Sequence, residues 1–215
     1  MRFTRIGRQA VAVAAVAVAT AGLTAAPANA HANTGTKSLA AVLTADKSGF
    51  DRKGGDFDIL TAAVQAVLKA KPGSPVGVLA NGGTRLTAFI PTDTAFKKLV
   101  ADLQGSRRLP SEKAAFTAVA GLGINTVEAV LLYHVVPGST IDRRAALRSD
   151  GARLKTATGA TIKVDVYGCW WARRVQLIDA DRNDRTPRVV VFDINKGNKQ
   201  IAHAIDGVLR PSNLP

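Results

Sequence analysis

The chain has 215 residues, 47% hydrophobic but only 5% aromatic, so a disordered chain is excluded and the core must be mainly aliphatic. One cysteine, Cys169, excludes an intramolecular disulfide, leaving packing to stabilise the fold. The formal charge of +13 favours anionic partners: wall polymers, acidic lipid surfaces or acidic polysaccharides.

Residues 1–30 read as a signal peptide. Arg2, Arg5 and Arg8 precede an apolar run from Ala10 to Ala19, and Ala28-Asn29-Ala30 offers a small-x-small cleavage site. The run is too short and Ala-rich for a span, which needs ~20 strongly apolar residues. The expectation is an exported protein beginning at His31, without stable membrane insertion. Of the 29 basic residues, the three arginines leave with the peptide, and 26 against 16 acidic residues give +10. Residues 31–44 read as a flexible leader that lies over the surface or frays, and residues 45–212 as the domain.

Phe57, Leu60, Val64, Val67 and Leu68 recur at helical spacing until Lys71-Pro72-Gly73. Arg85 to Ile90 reads as a strand stopped by Pro91, and Thr92 as the cap of a helix whose apolar stripe is Phe96, Leu99, Val100 and Leu103. A further helix is expected from Ser111 to Val119. Asn125-Thr126-Val127-Glu128 reads as a capping box opening a helix from Val127 to Val135, apolar all round and broken by Pro137-Gly138. The period then changes. Strands are expected around Leu154, over Ile162, Val164 and Val166, and over Val175 and Leu177. Val189-Val190-Val191-Phe192 suits a central strand, and Ile201 to Leu209 the last one. Helices followed by strands indicate an α+β domain with an antiparallel sheet.

Motifs for catalysis are scarce: there are three histidines, no Gly-x-Ser-x-Gly elbow, no Walker loop and no His-Glu-x-x-His. Asp179-Ala180-Asp181-Arg182-Asn183-Asp184 spaces three oxygen donors as a calcium loop does. It lacks the turn glycine and has Val190 where a bidentate Glu is required, so it reads as a charged hairpin loop. Basic pairs at Lys97-Lys98, Arg107-Arg108, Arg143-Arg144 and Arg173-Arg174 have no interleaved aromatics, which argues against nucleic acid. Cys169 lies beside Trp170 and Trp171 as a small hydrophobe or as a thiol able to pair between chains.

Three segments carry a family resemblance. Thr87 to Phe96 (TAFIPTDTAF), Leu131 to Gly138 (LLYHVVPG) and Gln200 to Pro211 (QIAHAIDGVLRP) resemble, in order, the signatures of the fasciclin domain. Asp56 to Leu60 fits the family's usual opening. Ala202 and Lys199-Gln200 depart from the closing pattern, and the stretches from Ser106 to Ile124 and Tyr167 to Pro187 are longer than usual. The resemblance implies a twisted β-sandwich or wedge with several packed helices. It also implies non-catalytic adhesion or interaction outside the cell, with no cofactor or metal. The partner would be a cell-surface or matrix protein or an anionic polysaccharide, met through loops at Arg107-Arg108 and Arg173 to Arg188. A rival reading is a small-molecule or polysaccharide module with a groove near Trp170 and Trp171. In animal members the Tyr133-His134 segment and the Asp58-Ile59 pair correspond to regions associated with integrin binding. The candidate binding residues are therefore Tyr133, His134, Arg173 and Arg174. His134 nevertheless shares a helical stripe with Val127, Val130 and Leu131, which points inward.

Overall fold

A computed structural model describes residues 35–181 and 183–214; the expected signal peptide lies outside them. Its α-helices are α1 (Leu39–Leu43), α2 (Asp58–Ala70), α3 (Asp93–Leu103), α4 (Glu112–Gly121), α5 (Ile124–Tyr133) and α6 (Arg143–Ala146), with a 3-10 turn at Pro75–Ala80. The strands are β1 (Leu86–Pro91), β2 (Val135–Pro137), β3 (Arg153–Lys155), β4 (Thr161–Tyr167), β5 (Arg174–Ile178), β6 (Val189–Ile194) and β7 (Gln200–Ile205). They form a four-stranded sheet, β2-β1-β7-β6, and a three-stranded sheet, β3-β4-β5.

The α+β arrangement in two sheets agrees with the sequence, but the sheet is mixed. β1 and β7 pair in parallel from Leu86 against Gln200 to Pro91 against Ile205. Every residue of both strands is buried, because apolar layers cover both faces. Leu86, Ala88, Ile90 and Ala202 face the helices with Ile59, Val67, Phe96 and Leu131. Phe89 and Ile205 face the second sheet, whose Ile162, Val164, Val175 and Leu177 fill the other core. Thr92 caps α3 as expected, its hydroxyl accepting from Ala95 N at 3.3 Å.

Four further expectations are corrected. The leader does not fray over residues 35–44: Ser38 caps α1, and Leu39 and Leu43 are buried in the core. Buried Gln200 holds it there. Its Oε1 accepts from Leu39 N at 2.8 Å, while its amide donates to Val78 O and Asn81 O, each at 2.8 Å. α5 begins three residues early, after Gly123 at φ 87°, and there is no capping box. Glu128 instead takes a hydrogen bond from Lys71, which also reaches Asn125 Oδ1 at 3.2 Å. α5 also ends at Tyr133, Val135–Pro137 is a strand, and Ala129 faces solvent. The Val189 run is an edge strand, not a central one; its register shifts twice against β7, and Val190 and Val191 are about half exposed. Finally, β7 stops at Ile205, short of Leu209.

If α1 is part of the core, Leu39→Ala leaves a cavity and should cost about 2–5 kcal/mol. Denaturant unfolding measures it, and an unchanged midpoint would restore the frayed leader.

Candidate interaction surface

Tyr133 and His134 do not form a contact surface, because the turn from α5 into β2 folds both inward. Tyr133 is fully buried and its hydroxyl donates to Thr161 O at 3.2 Å. Burial, with Asp179 nearby, pushes its phenol above the usual range. His134 is 5% exposed. Its Nδ1 lies 2.7 Å from Val130 O and its Nε2 accepts from Leu209 N at 3.0 Å. A carbonyl on one side and an N–H on the other require the neutral ring with its proton on Nδ1. Burial lowers its pKa to about 4.

His203 is held in the opposite tautomer, accepting from Asp193 N at 3.2 Å and donating from Nε2 to Ile141 O at 2.8 Å. With every ring nitrogen engaged by backbone, the two histidines have no lone pair for a metal. The apolar cavity beside His134 measures about 30 Å³, room for two or three waters at roughly 10–15 Å³ each. Ile59 is fully buried and Asp58 nearly so, which removes that pair from the surface as well.

Arg173 and Arg174 are exposed and make no ion pair among the described residues. Arg174 opens β5 opposite Tyr167 of β4. The strict alternation of β4 buries Ile162 and Val164 and turns Lys163 outward. Lys163 stands across from Arg153 of β3, and Lys155 is two residues further along. Arg153, Lys155 and Lys163 are also exposed and without ion pairs among the described residues. Asp165 is engaged by Gln176 Nε2 at 2.6 Å. The outer face of the small sheet is therefore a basic stripe, which alternation in the sequence predicts once the register is known.

The β4–β5 hairpin adds an aromatic tip. Gly168 adopts φ 99° and packs against the Ala172 carbonyl where a Cβ would collide, while Ala172 N donates to Cys169 O at 2.8 Å. This turn throws Trp170 and Trp171 outward, 84% and 71% exposed, with rings edge to face at 5.4 Å. They project from a tip instead of lining the groove expected of them.

The loop after β5, part of the basic contact expected over Arg173 to Arg188, also carries acids. Its acids turn in onto Arg210. The guanidinium lies 3.4 Å from Asp181, 3.2 Å from Asp184 and 2.7 Å from Asp102, and Arg210 N donates to Asp179 Oδ2 at 2.8 Å. Burial still raises Asp179 to about 7, against the pull of the Arg210 N–H. The sequence alone does not reveal this cluster, because Asp102 and Arg210 are far from the loop in the chain.

The family model described as Fasciclin domain matches residues 58–211. Among solved structures, the chain is similar to the FAS1 domain pair from the insect cell adhesion molecule Fasciclin I. The identity is 17% and the TM-score 0.56, over 82% of this chain and 51% of that one. The chain thus spans about half the length of that pair, and a likeness at this identity concerns the fold. No curated protein matches.

Two outcomes test the role of His134. Replacement by Ala strands Val130 O and Leu209 N and should cost about 1–3 kcal/mol, with polyanion binding by the folded fraction unchanged. In the native protein the ring should stay neutral down to pH about 4. An unfolded imidazole takes its proton near 6.5, so this contribution is complete above that pH and is lost as pH falls from 6.5 towards 4. Nitrogen-15 shifts of the ring read it; titration near 6.5 would contradict the buried tautomer.

Proposed function

We propose, from the premise that this chain belongs to the fasciclin domain family, that it is a secreted, non-catalytic interaction module gripping an anionic polymer of the cell surface or matrix. The observation that carries this reading is the basic stripe Arg153, Lys155, Lys163 and Arg174, which runs towards the Trp170–Trp171 tip. Strand pairing fixes the backbone spacing of these four cations on one sheet face, so binding has only their side chains left to order. The tryptophans add amphipathic area at the edge, suited to stacking on a sugar or burying against a protein. Export supports the same setting and rests on residues 1–30. The similar domain pair belongs to a cell adhesion molecule, which suits a surface role for this chain. A non-catalytic reading is supported by His134 and His203 being occupied in the interior.

The test is retention on an immobilised polyuronate at rising NaCl. Above ~1 M salt the screening length falls to ~3 Å and binding should be lost. Replacing Arg153, Lys163 and Arg174 with Ser should weaken binding at least tenfold at unchanged melting temperature. Replacing Arg107, Arg108 and Lys113, an equal loss of charge on exposed positions elsewhere, should change it far less. Equal losses in the two variants would mean that net charge, not this face, binds the polymer.

A further inference from the structure

Three helix starts meet in the helical layer, and each carries an acid: Asp58 opens α2, Asp93 opens α3 and Glu112 opens α4. Carboxylate oxygens of these three residues lie within 4.8 Å of one another, and so do those of Asp51, Asp56 and Asp58. Asp58 belongs to both sets. The loop carrying Asp51 and Asp56 is fastened here. Asp93 N donates to Asp56 O at 3.0 Å and Thr94 N to Gly54 O at 2.9 Å, and a Cβ on Gly54 would collide with the Thr94 side chain.

The surroundings account for only part of this charge. Asp93 accepts from Asp58 N at 3.1 Å and Ile59 N at 2.9 Å. Lys97 reaches Glu112 Oε1 at 3.4 Å. Yet Asp58 Oδ2, Glu112 Oε2 and both Asp56 oxygens are buried with no hydrogen-bond partner among the described residues. Asp58 is only 9% exposed and Glu112 only 1%. Helix N-termini supply roughly half a positive charge each, which leaves the carboxylates in excess. Burial foremost, then the neighbouring acids, raises Asp58; burial and Asp56 bring Asp93 up to about 7 despite its two N–H donors. The acids of the loop after β5 make the contrast, since Arg210 sits among them.

We propose that Asp58, Asp93 and Glu112, completed by Asp56, bind a hard divalent cation, calcium before magnesium. Oxygen-only donors select hard ions. Two oxygens on opposite sides of calcium, each at ~2.4 Å, stand ~4.8 Å apart, so the oxygens of Asp58, Asp93 and Glu112 fit one coordination shell, with Asp56 alongside Asp58. Calcium's variable shell suits donors drawn from three helix starts and a loop, whereas magnesium demands a near-ideal octahedron. The bound ion fastens the Asp51–Phe57 loop to α2, α3 and α4.

The experiment titrates the full chain with calcium chloride, and separately with magnesium chloride, by calorimetry and thermal melting. The expected result is saturable calcium binding with a dissociation constant around 10⁻⁴–10⁻³ M, weaker magnesium binding, and a melting temperature that rises with calcium and falls back with chelator. Asp58→Asn should weaken calcium binding at least tenfold, yet melt higher than the native chain in chelator because one repelling charge is gone. Should that variant fail to fold, Asp56→Asn on the half-buried loop serves in its place. No saturable binding of either ion up to 10 mM overturns the proposal, and so does calcium binding that both substitutions leave intact. Neither outcome bears on the basic sheet face, whose retention test adds neither calcium nor magnesium.

Discussion

The parallel pairing of β1 with β7 is the constraint on which the rest of the molecule depends. Parallel neighbours cannot be joined by a tight turn; the chain must leave the sheet and return. Here the return takes more than a hundred residues, and α3 to α6 and β2 to β6 all lie within it. The pair is buried on both faces, so helices must cover one side and the small sheet the other. Its ends are fastened by polar groups that find backbone partners. Gln200 ties one end to α1 and the 3-10 turn, and the His134 ring, between Val130 and Leu209, ties the chain after the other end to α5.

That layering separates the charges. Acids collect where helix N-termini point together, because each is favourable in the first turn of its own helix. Bases collect on the solvent face of β3, β4 and β5, because alternation leaves only that side of a half-buried strand free. The loop after β5 could have blurred this separation, but Arg210 draws its acids inward. A basic face and a buried acidic joint therefore follow from one arrangement: the first lies open to solvent, the second sits where three helix starts meet.

Local signals were legible in the sequence where strand, proline and cap stand side by side, as in Ile90-Pro91-Thr92. The inward aim of His134 was legible too, from its apolar neighbours. Elements decided by distant partners were not. Leu39 and Leu43 looked like leader residues because Gln200, which holds them, is about 160 positions away. The Val189 run looked central because hydropathy does not record that bulges turn Val190 and Val191 to solvent. Arg174 was singled out, but Arg153, Lys155 and Lys163 were not, since only strand register places them on one face. Asp58, Asp93 and Glu112 open three different helices, and their meeting is a property of the fold alone.

The function proposed for this domain rests on the basic sheet face being its binding surface. Amide chemical-shift mapping during titration with a short polyuronate tests it most directly. The largest changes are expected on Arg153 to Lys155, on Lys163 to Tyr167, and on Gly168 to Arg174 at the tip. Changes concentrated instead around Arg107 and Arg108, or spread evenly over the surface, would contradict it.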